Sequence, residues 1–477
     1  MQRIRFNHEL PLFDVAGTRA LEQSAAAALP PHAVMERAGL ALARLVLALY
    51  PHARSIWIAC GPGNNGGDGL EVAMQLRGFG KDAVVTWLGE ESAAPQDARA
   101  SLHRAREAGV VFPDGPPANC DVAVDALLGI GSARALEGRM AELAGVLGAL
   151  TVPIIAADLP SGLDAMRGTG AAVRATHTLS LFTLKPGLFT AGGRDASGEI
   201  WFDDLGVDAS QQLPIAFLSQ RPEPAVLRHD SHKGTHGDAC VVGGAPGMTG
   251  AALLAATAAH AGGAGRVFVA LLDGGSVSVD TAQPELMFRD VHALDFSAMS
   301  VACGCGGGDA VRPLLPRVMA TAGRLVLDAD ALNAIAADTQ LQALLKARGR
   351  RRRATVMTPH PLEAARLLEC TAAQVQADRL AAAAALVDRY ACVVVLKGSG
   401  TVTAAPGERP RINPTGNGRL ATAGTGDVLA GMICARLARG ESPAVAARSA
   451  VFEHGAMADH WPIAQPLTAG ALARNLR

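Results

Sequence analysis

The feature that most constrains this chain is an alternation that runs once, stops and starts again. Short runs rich in Val, Ile and Ala at 55–59, 83–87, 121–125, 152–157 and 176–182 are separated by longer polar or Ala/Leu-rich stretches. Among these, 33–50 reads as a helix and another helix is expected to start near Asp68. Pro214, Pro222 and Pro224 then break the periodicity across 211–228. The pattern resumes with strands at 239–242 and 266–270 around a helix at 249–261. Further strands are expected at 325–328, 354–357 and 392–396, a hairpin-like segment at 401–413, and closing helices at 426–439 and 443–458. Strand runs alternating with helical runs predict parallel sheets covered by helices on both faces. The chain is therefore expected to be α/β, with one three-layer domain over 1–215 and a second over 225–477.

Composition narrows the class further. Hydrophobic residues make up 49% and charged residues 18%, which excludes a disordered chain. The 53 glycines follow neither a collagen nor a heptad period. A net charge of −1 gives no overall field favouring nucleic acid or an anionic membrane. The basic run 346–353 is read as a solvated loop between a helix and a strand, since no aromatics interleave with it. The eight cysteines form no CxxC pair and read as buried free thiols in a reducing compartment. The start of the chain lacks the apolar core of a secretory signal. The mildly apolar stretch 251–272 is broken by His260, three glycines and Arg266, so it reads as helix, turn and strand rather than a membrane span. A cytoplasmic protein is expected.

Four loops at successive strand ends of the first half carry polar chemistry. The first runs from Cys60 through Gly61-Pro62-Gly63-Asn64-Asn65-Gly66-Gly67-Asp68-Gly69. Glycines let a ligand approach main-chain N–H groups, and a following helix N-terminus favours an anion such as a phosphate. The second is Asp125 with Gly129-Ile130-Gly131, the third Asp158 with Ser161 and Asp164, and the fourth Lys185-Pro186-Gly187. Ligands bind beyond the carboxyl ends of the strands in an open parallel sheet, so these loops should converge. Oxygen ligands from Asn, Asp and Ser suit a hard cation, and Asp or Lys can exchange protons with a substrate. Taken singly, each Asp reads equally well as a turn or helix cap.

These loops resemble the NAD(P)H-hydrate epimerase domain over about 1–215, a Rossmann-like fold. That family interconverts the R and S forms of NAD(P)HX, in which water has added to C6 of the nicotinamide ring. The resemblance implies that Asn64, Asn65, Gly66, Gly67 and Asp68 hold the hydrate together with Gly129, Ile130, Gly131, Ser132, Ala133, Arg134 and Ala135. It implies a potassium ion on Asn65, Asp125 and Ser161, and it places Asp158 at the reacting ring. Asp158 is the first choice as acid/base, with Lys185 second.

In the second half, Asn413-Pro414-Thr415-Gly416-Asn417-Gly418 precedes Thr422-Ala423-Gly424-Thr425-Gly426-Asp427. A glycine turn feeding a helix aims several N–H donors at one point and suits a transferring phosphoryl group. Asp427, in the first helical turn, can take the proton of an attacking hydroxyl; a plain N-cap is the alternative. Lys397-Gly398-Ser399-Gly400-Thr401 lines a nucleotide or forms an ordinary hairpin turn. Asp328 and Asp330 bind magnesium or cap a helix, and His360 alone reads as structural. A further strand–glycine–helix crossing runs from Gly243 to Ala251.

Together with His232-Lys233-Gly234, these motifs resemble the NAD(P)H-hydrate dehydratase domain over about 225–477, a ribokinase-like fold. The resemblance implies that Ala251, Gly306, His360 and Asp427 contact the S hydrate, and that Lys397, Gly398, Ser399, Gly400, Thr401 and Gly426 contact an adenine nucleotide. It implies phosphorylation of the C6 hydroxyl with Asp427 as base, then loss of phosphate, with Mg2+ required. The fused layout implies ADP rather than ATP. Expected partners are NADHX or NADPHX and the nucleotide, with no nucleic acid and no membrane, in a homo-oligomer. A small-molecule kinase with an accessory domain, or an interaction module in the first half, are the competing readings.

Overall fold

The computed structural model describes residues 1–131, 135–224 and 228–476. Contacts divide it into two units, Met1–Arg5 with Leu10–Phe217 and Phe6–Glu9 with Leu218–Arg477.

In the first unit, seven strands lie in the order Gln2–Arg3, Glu199–Asp203, His177–Leu181, Ile154–Ala157, Val122–Ala126, Ser55–Cys60 and Asp82–Trp87. All pairings are parallel except that of Gln2–Arg3. Side chains alternate along Ser55–Cys60, so Ile56, Ile58 and Cys60 join one core cluster while Trp57 and Ala59 join another. This is the signature of a sheet covered on both faces. After Ser55–Cys60 the chain adds Asp82–Trp87 on one side and then Val122–Ala126 on the other. That reversal opens a crevice at the carboxyl ends of Ser55–Cys60 and Val122–Ala126, where a doubly wound sheet takes its ligand.

The second unit repeats the logic with a different sheet. Met287–Phe288, Arg266–Leu271, Asp238–Gly243, Ser300–Cys303, Arg324–Leu327, Thr355–Met357 and Val393–Leu396 are parallel neighbours in that order. Val402–Ala404 and Arg411–Ile412 extend it antiparallel, as the hairpin reading of 401–413 expects. Its switch point lies between Asp238–Gly243 and Ser300–Cys303. The helices Thr249–Ala261 and Thr425–Ala438 pack closely enough that a Cβ on Gly431 would fall 2.1 Å from the Ala255 carbonyl oxygen. The alanine and glycine excess thus has a structural use, the close approach of covering helices.

Three readings change. The helix expected near Asp68 begins at Asn64, four residues earlier, with Gly63 as N-cap. Packing overrides the poor helix propensity of Asn and Gly here. A Cβ on Gly66 would fall 1.9 Å from the Gly61 carbonyl oxygen, and one on Gly67 would fall 2.6 Å from Met35 Sδ. The basic run is not a solvated loop throughout. Arg348 lies in the helix Thr339–Arg350, is 3% exposed, and donates to the carbonyls of Met319 and Ala354 and to Thr355 Oγ1. The strand Ser300–Cys303 was not anticipated. All eight cysteines are free, six of them buried. No helix among the described residues is long and apolar enough to cross a membrane.

Candidate active sites

A cavity of about 630 Å³ occupies the crevice of the first unit. Asn64, Asn65, Asp68, Gly129, Ile130, Gly131, Ala135 and Asp158 line it, so three of the four polar loops converge. Gly66 and Gly67 are not in its lining; they lie in the first turn of the helix, where an added Cβ would meet Gly61 and Met35. Ser132, Ala133 and Arg134 lie outside the described residues.

Beneath the cavity, Asp125 is fully buried. Its carboxylate accepts hydrogen bonds from Ser161 Oγ at 2.5 Å, Ser161 N at 2.8 Å and Leu127 N at 3.3 Å. Burial pushes its pKa up to about 6 despite these bonds. Ser161 Oγ also accepts from Leu128 N at 2.9 Å, which ties the third loop to the second. Asn65 stands against Gly129, where a Cβ would lie 3.1 Å from Asn65 Oδ1, and the Asn65 amide nitrogen is buried with no hydrogen-bond partner among the described residues. A buried carboxylate offset by hydrogen bonds alone, with a serine hydroxyl bonded to it, offers oxygens of the kind a potassium ion takes, and the Asn65 amide oxygen would be a further one.

Asp158 sits just past its strand with φ 64°, a conformation L residues adopt at a cost and often at functional positions. One carboxylate oxygen accepts from Leu181 N at 3.1 Å and from Lys185. The Lys185 side chain is fully buried, and its ammonium also donates to the Leu181 carbonyl at 2.7 Å. Lys185 does not line the cavity; it holds Asp158 from behind.

Two carboxyl groups that no motif singled out for acid/base chemistry join Asp158. Asp68, expected only among the hydrate contacts, is pushed well above the carboxylate range by burial and by the nearby Glu22 and Asp158. Glu22, from the helix Val15–Ala28, lines the same cavity and is pushed up to about 7, chiefly by burial. A lone Glu in an Ala-rich helix carries no sequence signal. Its neighbour Arg19 also lines the cavity, with a guanidinium nitrogen 3.7 Å from where a Gly131 Cβ would lie.

In the second unit the ends of four parallel strands and one helix N-terminus bring a charged network together. Asp328, 2% exposed, accepts from Thr358 Oγ1 at 2.8 Å and Lys397 Nζ at 2.7 Å, both on Oδ1. Its Oδ2 faces Gly426, 4.0 Å from the position of a Cβ there. Lys397 Nζ also lies 4.0 Å from Glu363, which burial pushes up to about 7. Glu363 and His360 form a capping box on the helix Pro361–Leu368: Glu363 accepts from His360 N, and His360 Nδ1 accepts from Leu362 N and Glu363 N. Burial, then the Lys397 charge, hold the His360 pKa below its usual value.

Asp427 stands in the first turn of Thr425–Ala438, behind Gly424 at φ 90°. Burial and the neighbouring Asp328 push its carboxyl to about 6. The Cys305 thiol hydrogen-bonds to it, and ligand atoms of Cys305, Asp328 and Asp427 lie within 4.8 Å of one another. Carboxylate oxygens of this kind suit magnesium, while the thiol is too soft a donor for it. Gly306 and Ala251 adjoin, since a Cβ on Gly306 would fall 2.9 Å from that of Ala251. Within Lys397–Thr401 the lysine turns away from its neighbours toward Asp328, and a Cβ on Gly426 would lie 3.4 Å from its Nζ. The segment is a hairpin turn, with Gly398 at φ 132° and Gly400 at φ 62°. The buried Arg379 anchors it through the carbonyls of Leu396 and Lys397, each at 3.1 Å.

Two family models match the chain, one within each unit. A family model described as NAD(P)H-hydrate dehydratase matches residues 239–476, and one described as YjeF-related protein N-terminus matches 31–187. The Bifunctional NAD(P)H-hydrate repair enzyme Nnr of Escherichia coli (strain K12) is 38% identical over 455 residues, spanning 89% of this chain and 84% of that one. The enzyme of the same description from Moorella thermoacetica is 36% identical over 90% of this chain and 88% of its own. A solved structure of the Bacillus subtilis ADP/ATP-dependent NAD(P)H-hydrate dehydratase, co-crystallised with ATP and Mg2+, aligns with 52% of this chain and 90% of its own at 30% identity, with a TM-score of 0.44. With relatives of this identity spanning both halves, and a site in each, the chain belongs to the family of bifunctional NAD(P)H-hydrate repair enzymes, an epimerase joined to a dehydratase.

Proposed function

We propose that residues 1–215 interconvert the R and S hydrates at the cavity beside Asp158, and that residues 225–477 dehydrate the S form with ADP as phosphoryl donor. The observation that carries the second assignment is the placement of Asp427 beside Asp328 at a glycine-opened helix N-terminus. The helix N–H groups receive the transferring phosphoryl group. Asp427 takes the proton of the C6 hydroxyl as its oxygen attacks phosphorus, AMP departs, and phosphate then leaves C6 to restore the C5=C6 double bond. Magnesium would be held by Asp328, with Asp330 in the first turn of Ala329–Ala336 as a further carboxylate, and would supply charge neutralisation on the phosphates. Lys397 holds Asp328 in place, and the turn Gly398–Thr401 with Gly426 borders the nucleotide. Ala251, Gly306 and His360 border the S hydrate.

Incubating the full chain with mixed R and S hydrate, ADP and Mg2+ should restore the near-ultraviolet absorbance of reduced nicotinamide and release inorganic phosphate. The absorbance should rise in two phases, the slower one set by epimerisation. A stable phosphate ester in place of free phosphate would mark a kinase, and comparison with ATP decides the donor.

In the first unit, Asp125, Ser161 and Asn65 hold potassium. Folded Asp125, pushed up to about 6, binds its proton more tightly than the unfolded chain does. Its ionisation therefore costs stability as the pH rises through the window between the two values, and a cation offsets that cost. K+ is expected to raise the unfolding temperature above what Li+ does at equal ionic strength. The gain should hold above about pH 6, fade below it, and vanish in Asp125→Asn. Equal shifts with the two ions would remove potassium from the site. The eight free cysteines support a reducing, cytoplasmic setting.

A further inference from the structure

Epimerisation replaces a hydroxyl on one face of C6 by a hydroxyl on the other. The leaving hydroxyl must gain a proton on one face and the arriving water must lose one on the other, so a single rigid acid/base group serves the two halves poorly. The motif-bearing loops supply two carboxyl groups to the cavity lining, Asp158 and Asp68, while Lys185 is buried behind Asp158. We propose that Glu22 is the second proton-transfer group of the epimerase cavity, working with Asp158 from a separate element. This rests on the epimerase reading of the first unit.

The geometry is specific. The helix Val15–Ala28 is capped by Asp14, whose carboxylate accepts from Gly17 N at 2.7 Å. One turn in, the buried Thr18 hydroxyl meets the buried Thr183 hydroxyl at 2.7 Å. Thr183 lies in the short loop that runs from Phe182, which lines the cavity, to Lys185. Glu22 follows Thr18 by four residues and so stands on the same face of the helix. The Thr18–Thr183 bond thus registers Glu22 against the Asp158–Lys185 pair. Glu22 thus reaches the cavity from an element that carries none of the four polar loops.

The charged groups facing it explain why it, rather than Asp68, is suited to the task. Arg19 on its own helix and Lys185 behind Asp158 pull its pKa down, while Asp158 pushes it up; burial outweighs them and leaves it at about 7. Asp68, from the helix Asn64–Gly78, is raised well above its ordinary value by burial and then by the charges of Glu22 and Asp158. Asp97 and Glu137 also line the cavity. A group near neutrality can both give and take a proton.

In the R to S direction, protonated Glu22 gives its proton to the C6 hydroxyl. The C6–O bond breaks as the N1 lone pair forms a C6=N1 bond, releasing water. Water adds to the opposite face of C6, the C=N electron pair returns to N1, and the Asp158 carboxylate takes the proton. One C–O bond breaks, one forms, and no oxidation state changes. The S to R direction runs from the state so produced, and exchange with solvent resets the pair.

The test uses the full chain and pure R-NADHX, following the R and S isomers chromatographically and subtracting the rate without enzyme. Dehydration of S-NADHX by the same preparation reports the folding of the second unit, and the K+-dependent thermal shift that of the first. Glu22→Gln is expected to lower kcat for epimerisation by about 10²-fold or more, within the range for loss of a general acid, with KM changed less than threefold. It should also erase the limb near pH 7 from the kcat/KM profile, which Glu22→Asp should keep in displaced form. A Glu22→Gln enzyme within threefold of wild-type kcat, or one with that limb intact, overturns the inference alone. A wild-type chain that leaves R-NADHX unchanged overturns the epimerase reading and the inference with it. Should Glu22→Gln lose the thermal shift, the presence or absence of the limb in wild type and in Glu22→Asp decides.

Discussion

Asp427→Asn is expected to lower dehydration of the S hydrate by about 10²–10⁴-fold, the range for loss of a positioned general base, while ADP still binds. The substitution keeps the shape of the side chain and its place in the first turn of Thr425–Ala438. The helix N–H donors and the left-handed Gly424 are untouched, so the phosphate-binding surface survives. What is lost is a proton acceptor whose basicity the fold has raised. Burial, and then the negative charge of Asp328, lift its carboxyl to about 6, while the Cys305 thiol and Lys397 pull it back. At neutral pH it is ionised, yet basic enough to take a hydroxyl proton during phosphoryl transfer. The sign follows: the ionised form works, so wild-type kcat/KM falls about tenfold per unit below pH 6 and levels above it. The variant's residual rate should lack that limb. Calorimetric titration with ADP and steady-state rates on S-NADHX check both halves. A variant keeping more than a tenth of wild-type turnover would remove Asp427 as the base.

The two α/β layers were legible because their signals are periodic and local. Val393–Leu396 is an uninterrupted apolar run, and Thr249–Ala261 is bounded by glycine turns on both sides. Ser300–Cys303 was missed because Ser, Ala and Cys are three of its four residues, and only its neighbours in the sheet make it a strand. The early start of the helix at Asn64 was hidden for a related reason. Asn-Asn-Gly-Gly disfavours a helix on its own, and the contacts of Gly66 with Gly61 and of Gly67 with Met35 reverse that preference. The same contacts leave no room for a side chain at either glycine. Motif reading singled out Asp158, Asp125 and Asp427 because each closes a strand or opens a helix near glycines. It had no means of finding Glu22, or of seeing that Lys397 serves Asp328, since both depend on distant segments meeting.

Asp158→Asn should abolish epimerisation and also destabilise the first unit, and the two effects can be separated. Asparagine is the right replacement because φ is 64°, a left-handed conformation that Asn tolerates and Ala does not. The amide retains an oxygen for Leu181 N but no charge for Lys185. The Lys185 side chain is fully buried, and its ammonium would be left with the Leu181 carbonyl at 2.7 Å and Ser180 Oγ at 3.4 Å. Removing one partner of a buried pair costs about 3–5 kcal/mol, because the other charge stays desolvated. Lys185→Met alone should cost a similar amount, with Glu22 adding repulsion against the unpaired Asp158. Asp158→Asn combined with Lys185→Met removes both charges and should recover most of that loss in urea unfolding, a strong positive coupling in the double-mutant cycle. Its epimerase turnover should stay at the level of Asp158→Asn. Stability returning without activity makes Asp158 part of the chemistry and Lys185 its support. Activity returning together with stability makes the pair a scaffold and moves proton transfer to Glu22 and solvent.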